Sequence, residues 1–229
     1  RHAGWIAAAG GMASDSATEI PIVILFPEVA FDRSRFISTV NRKVKKFGYC
    51  TVVVSEGARD AQGHFLADQG LRDAFGHTQL GGVAPIVAAM IRDDLGLKYH
   101  WAVADYLQRS ARHIASRTDV EQAYATGKAA VAFALKGKNA VMPTIVRTSN
   151  SPYRWKIGEA DLNRVANREK TMPRGFISRD GMGITARCRQ YLAPLMAGED
   201  YPPYRNGLPR YIRLKNIAVK KKLARQFTV

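Results

Sequence analysis

Two short apolar runs separated by one helix-length segment constrain this chain most. Ile22-Val23-Ile24-Leu25-Phe26 follows Pro21, and Tyr49-Cys50-Thr51-Val52-Val53-Val54 follows Gly48. Neither run alternates apolar with polar residues, so each reads as a strand buried on both faces. Between them Phe36, Ile37, Val40, Val44 and Phe47 recur at helical spacing, with Arg42, Lys43, Lys45 and Lys46 interspersed. Asp32 is placed to cap that helix and Gly48 to stop it. A strand, a helix and a strand joined by short connections make a parallel unit, and a parallel sheet must be covered by helices.

The flanking sequence extends this pattern. Gly4 to Met12 reads as a small-residue helix, and Gly57 to Leu80 as a polar excursion with little regular structure. A helix is expected from Val83 to Leu95, opened by Gly81-Gly82 and closed by Gly96, then a third strand over Lys98 to Val103. Thr118-Asp119-Val120-Glu121 has the form of a capping signal for a helix reaching Lys136, ended by Gly137 and Asn139, with a fourth strand at Ala140 to Val146. The fold expected is α/β, a Rossmann-like parallel sheet with helices on both faces, over residues 1–149. Residues 150–229 are broken up by Pro152, Pro173, Pro194, Pro202, Pro203 and Pro209. They read as a helical and irregular extension packing on the first part, with helices at Ala160 to Glu169 and Gly183 to Met196. No internal repeat occurs.

At 229 residues the chain is long enough to bury a core without staples. Its two cysteines, Cys50 and Cys188, exclude a disulfide framework or a Cys-rich zinc module as the basis of the fold. No run of 18 apolar residues offers a spanning helix. Lys and Arg number 35 against 19 Asp and Glu, a net +16. That excess suits nucleic acid, a membrane surface or small phosphorylated substrates, and composition does not choose among them.

Doubly wound sheets bind ligands at the carboxyl ends of their strands. Pro27-Glu28 follows the first strand and Ser55-Glu56-Gly57 the second. Asp105, Tyr106, Gln108 and Arg109 follow the third. A carboxylate accepts hydrogen bonds from sugar hydroxyls, a guanidinium grips phosphate in a bidentate fork, and a phenol serves either group. Together they suit a sugar phosphate. Plainer roles stand beside these: Glu56 as a helix cap, Glu28 as a turn or cap residue, Asp105 as the partner of a neighbouring Arg. His2, His64, His77, His100 and His113 show no metal-binding spacing. Gly81-Gly82 and Gly181-x-Gly183 match neither the P-loop nor the dinucleotide fingerprint.

Four motifs in order carry a resemblance. Arg1-His2-Ala3-Gly4-Trp5-Ile6-Ala7 resembles the segment completing the Met-Gly-Arg motif of the phosphofructokinase family, and Pro27-Glu28-Val29 resembles the strand end that follows it. Ser55-Glu56-Gly57 is similar to the segment bearing the family's substrate-binding Glu. Tyr106-Leu107-Gln108-Arg109 resembles the Tyr-x-x-Arg of the pyrophosphate-dependent branch. Asn163-Arg164-Val165-Ala166-Asn167 and Tyr201-Pro202-Pro203-Tyr204 look like the bacterial enzymes of that branch.

The resemblance implies transfer of a phosphoryl group from pyrophosphate to the 1-hydroxyl of fructose 6-phosphate, reversibly and with Mg²⁺. It places Arg1 beside the transferring group, as both catalytic and substrate-binding residue. Glu56 falls on the fructose hydroxyls, and Tyr106 and Arg109 on fructose 6-phosphate, with Arg109 at the 6-phosphate. The family's Gly-Gly-Asp donor loop and its Lys-Thr-x-Asp-x-Asp base segment precede the Met-Gly-Arg motif. The expectation is therefore an acceptor-binding C-terminal portion, inactive alone, with the Mg²⁺ ligands and the catalytic Asp elsewhere and residues 1–149 as the fructose 6-phosphate domain. A homodimer or homotetramer in the cytoplasm is implied, with no nucleic-acid or membrane partner. The rival readings are an ATP-dependent 6-phosphofructokinase and a basic, non-catalytic nucleic-acid-binding module.

Overall fold

The computed structural model describes residues 2–15, 18–72, 78–80, 82–218 and 220, with side chains outside the description at 69–72, 78–80, 108 and 109. Arg1, His77, Gly81 and the Lys221-Lys222 part of the basic tail lie outside the described residues.

The chain opens with helix α1 (Trp5–Gly10), continued by a 3₁₀ turn, and runs into strand β1 (Ile22–Leu25). Helix α2 (Arg33–Phe47) follows, then strand β2 (Thr51–Val54), paired parallel to β1 in the register Ile22 to Thr51 through Leu25 to Val54. The Asp32 side chain caps α2 by accepting from the Arg35 N–H at 3.0 Å, and Gly48 ends it in the left-handed region at φ 81°. The expected β–α–β unit is present, with one correction: β2 begins at Thr51 rather than Tyr49 and holds no fully buried residue, so only β1 is buried on both faces.

Successive side chains of β1 enter opposite cores, as a strand's two-residue period requires. Val23 and Leu25 pack with Phe36 and Val40 of α2 and with Val83 and Val87 of helix α3 (Val83–Leu95). Ile24 and Phe26 pack with Ala7 and Ala8 of α1 and with Met172, Phe176, Ile177, Cys188 and Leu192. Helices thus cover both faces of parallel strands, the α/β architecture expected, and residues 172–192 supply much of the second face.

Beyond the central unit, several expectations are corrected. The described residues of 57–80 are more regular than a polar excursion. They hold a bridge between Arg59 and Phe65 and an antiparallel hairpin of β3 (Asp68–Arg72) with β4 (Thr78–Leu80). Lys98 to Val103 is not a strand. The Ile24 N–H on the edge of β1 away from β2 already donates to Met182 O at 2.9 Å. Trp101 and Val103 remain exposed. Extended backbone without a ladder partner does not register as a strand.

After the short helix α4 (Leu107–Ser110) comes α5 (Arg117–Leu135), capped by Ser116 two residues before the expected signal. The fourth strand exists but leaves the parallel sheet: β5 (Val141–Asn150) pairs antiparallel with β6 (Tyr153–Asp161). The helix expected from Ala160 shrinks to α6 (Leu162–Val165), because Asp161 still pairs in β6 and then caps the turn through Asn163 N–H. The helix expected from Gly183 begins at α7 (Ala186–Leu192), since Ile184 bridges to Ile177 and Thr185 is the cap; Pro194 turns its end into 3₁₀.

Candidate active site

The carboxyl ends of β1 and β2 lie side by side, and Ser55 N–H donates to Leu25 O at 3.0 Å across them. Glu28, just past β1, is a staple. Its Oε1 accepts from the Gly4 N–H at 3.0 Å and from the Met172 N–H at 2.9 Å, joining three distant segments through one oxygen. Its Oε2 is buried without a hydrogen bond among the described residues. Gly4 is required there, because a Cβ would lie 2.7 Å from Phe26 Cδ1 and 2.8 Å from Glu28 Oε2. The turn-or-cap role considered for Glu28 becomes a tertiary clamp between the N-terminal strap and residues 169–172.

Glu56 sits in the turn leaving β2, exposed, with no hydrogen bond to a described residue and no helix after it to cap. Behind it the chain is fixed. Gly57 and Ala58 are buried. Ala58 O accepts from Leu66 N–H at 3.0 Å, and Phe31 N–H donates to Arg59 O at 2.7 Å. Asp60 holds the loop's tip by accepting from the N–H groups of Gln62 and His64, both at 2.9 Å. Burial opposes charge on Asp60, but the His64 and Gln62 N–H groups outweigh it and hold the carboxyl below its ordinary range. A free carboxylate on so supported a turn suits a hydroxyl-bearing ligand.

The strap of residues 2–5 meets this loop. His2 stacks on Phe65, with ring centroids 5.4 Å apart and planes 22° from parallel. Its Nδ1 hydrogen-bonds to Glu169 Oε1. Phe65 also carries the Arg59 guanidinium 4.3 Å from its centroid. Trp5 Nε1–H donates to Lys170 O at 2.7 Å. Phe65 and Glu169 drew no attention in the sequence, where nothing sets them apart from any other aromatic or surface carboxylate.

The remaining candidates are placed less fully. Tyr106 precedes α4, is 68% exposed, and its carbonyl accepts from Ser110 N–H at 3.1 Å. Asp105 turns the chain into α4 at φ 46°. Arg109 lies within α4, its side chain outside the description, and Arg1 lies outside the described residues. Among the described residues no three His, Cys, Asp or Glu side chains are placed to hold a metal ion, and no helix is long and apolar enough to cross a membrane.

A model of the phosphofructokinase family matches residues 1–134. A pyrophosphate–fructose 6-phosphate 1-phosphotransferase of Methylococcus capsulatus is 66% identical over 229 residues, 100% of this chain and 54% of that protein. One from Halomonas elongata is 60% identical over 97% of this chain and 53% of its own length. The crystal structure of a pyrophosphate-dependent phosphofructokinase from Nitrosospira multiformis, 61% identical, superposes with a TM-score of 0.84 over 98% of this chain and 52% of that one. The chain spans about half the length of the curated relatives it matches.

Proposed function

The chain belongs to the phosphofructokinase family, and we propose that the full-length protein transfers a phosphoryl group between pyrophosphate and the 1-hydroxyl of fructose 6-phosphate. The observation that carries this reading is identity of 66% along all 229 residues to a relative named for that reaction. The charge balance agrees, since both substrates are phosphorylated anions and the chain carries +16.

Phosphoryl transfer asks a protein chiefly to position its reactants and to stabilise charge. Glu56, exposed on a supported turn, accepts hydrogen bonds from fructose hydroxyls. Arg109 takes the 6-phosphate through a bidentate fork, with Tyr106 beside it. Arg1 stabilises the negative charge of the transferring group. Among the described residues no three His, Cys, Asp or Glu side chains are placed to hold a metal ion, and the proposal assigns Mg²⁺ and the base that deprotonates the 1-hydroxyl to sequence beyond these 229 residues. A cytoplasmic homo-oligomer is part of the same proposal.

The test is a coupled assay of the full-length protein with fructose 6-phosphate, Mg²⁺ and either pyrophosphate or ATP. Turnover with pyrophosphate and not ATP is the expected result. Turnover with ATP alone moves the donor assignment, and turnover with neither removes the activity. The 229-residue chain by itself is expected to be silent with both donors.

A further inference from the structure

The strap that carries Arg1 makes almost none of its own structure. Residues 2–4 precede α1, and the anchors of the strap arrive from elsewhere. Glu28 receives the Gly4 N–H, Lys170 O receives the Trp5 indole, and the Glu169 carboxylate and the Phe65 ring both take His2. Glu28 also receives the Met172 N–H, so residues 169–172 form a rail along which the strap lies. Backbone outside a helix or sheet keeps one conformation only if side chains and other segments over-determine it.

His2 occupies the junction of this arrangement. On one side it adjoins Arg1 in the chain. On the other it stacks on Phe65, which closes the loop that starts at Glu56, and the Ala58–Leu66 hydrogen bond makes that loop one rigid piece. The N-terminal strap and the loop that starts at Glu56 therefore meet at the His2 imidazole. A phosphoryl-transfer site tolerates little error, since a displacement of about 1 Å costs on the order of 10²-fold in rate.

We infer that His2 is a positioning residue, held by Glu169 and Phe65 so that the strap bearing Arg1 keeps a fixed place against the loop bearing Glu56. This rests on the function proposed above. His2 forms no bond with substrate; it acts through the segments on either side of it. Glu169, 167 positions away in the chain, thereby bears on the reaction although its side chain is half exposed.

The test uses the full-length protein with Glu169→Ala, Glu169→Gln and Phe65→Ala. Glu169→Ala and Phe65→Ala should each lower kcat about 10- to 100-fold. Glu169→Gln, which keeps an acceptor for the imidazole, should restore most of the wild-type rate. The double variant Glu169→Ala/Phe65→Ala should lose little beyond either single variant, because both act through His2. Thermal melts separate this from damage to the fold: Glu169 is a surface residue, and its variants should melt with the wild type. A wild-type kcat in Glu169→Ala overturns the inference, as does a loss that follows only the folded fraction. A wild-type protein inert with pyrophosphate and fructose 6-phosphate defeats the function reading instead. In that case amide exchange at Ala3 and Gly4 judges the tether, with acceleration in Glu169→Ala supporting it and unchanged exchange overturning it.

Discussion

Strand β1 has four residues and α5 has nineteen, yet the shorter element is the better anchored. Val23, Ile24 and Leu25 are all buried, the odd positions against α2 and α3 and the even one against α1 and α7. Helix α5 has no buried residue; Tyr124, Val131 and Leu135 stand in solvent. Its order comes from propensity, in a run rich in Ala, from its ends, and from a half-buried face (Val120, Ala125, Ala129, Phe133) laid against β5 and β6, where the Gln122 amide donates to the Tyr153 hydroxyl at 2.6 Å. Ser116 caps it, the Ser116 hydroxyl donates to Leu195 O at 2.6 Å, and Arg117 N–H donates to Gly198 O at 2.9 Å. Length of regular structure is thus a poor guide to where stability resides; the number of buried faces is a better one.

The contrast breaks hardest at Phe36. This ring is fully buried between β1 and α2 and lies against Phe31, with centroids 5.5 Å apart. Phe36→Ala should cost about 3–5 kcal/mol, measured by urea denaturation. A loss below about 1 kcal/mol would show that the β1 core does not dominate stability as its burial implies.

Arg147 makes an intermediate case. Its guanidinium lies 4.0 Å from the Tyr191 ring centroid and 4.8 Å from that of Tyr153, and it donates to Tyr191 O at 2.8 Å. It fastens the β5–β6 hairpin to α7. Arg147→Ala should cost about 1–3 kcal/mol through the charge-assisted hydrogen bond and ring contacts. Hydrogen exchange should quicken in β5 and β6 and stay slow in β1. Equal acceleration in both would mean that the two regions unfold as one unit.

The same contrast decided what could be read from the sequence. The order of the β–α–β unit was legible because both strands write continuous apolar runs, while its helix writes a 3.6-residue period with Asp32 and Gly48 at the ends; the two-sided burial read from those runs holds for β1 and not for β2. Lys98 to Val103 carries Tyr99, Trp101 and Val103 at two-residue spacing but no ladder partner, and spacing alone does not supply one. The β5–β6 hairpin was half missed, because Tyr153 to Asp161 carries exposed Arg154, Lys156 and Glu159 and so writes no continuous apolar run. The strand-end rule pointed to Glu28 and Glu56, and both stand in the turns just past β1 and β2. Glu28 proved to be a clamp, since its partners are backbone N–H groups of Gly4 and Met172, and a backbone group leaves no trace in sequence. Glu169 and Phe65 escaped for a related reason: each matters through contact with a residue far along the chain.

A gentler test of the core side lies at Asp180, beside Met182 where the chain edges β1. Burial raises the cost of its charge. The Ser178 hydroxyl, the Met182 N–H at 3.1 Å and the nearby Arg35 and Lys43 overcome that cost and lower its pKa. A carboxyl whose folded pKa lies below its unfolded value stabilises the fold above the unfolded pKa of about 4, and that contribution is lost as pH falls through the folded value. Denaturation midpoints should therefore decline between about pH 5 and about pH 3, less steeply in Asp180→Asn than in wild type. Identical slopes would mean that the turn's hydrogen bonds add nothing in solution.

The smallest effect is expected at Leu135, 83% exposed near the end of α5. A side chain in water loses no buried area on substitution, and leucine and glutamine differ little in helix propensity. Leu135→Gln in the 229-residue chain should shift stability by no more than about 0.5 kcal/mol. The pair Phe36→Ala and Leu135→Gln replaces two large apolar residues, both in helices, and differs chiefly in burial. Similar losses in the two would mean that the exposed face of α5 is held by apolar contact after all. In the full-length protein the same Leu135→Gln substitution acquires a second meaning. A cost there above about 1 kcal/mol, absent in the shorter chain, would show that the additional sequence packs against α5 and supplies the burial this face lacks.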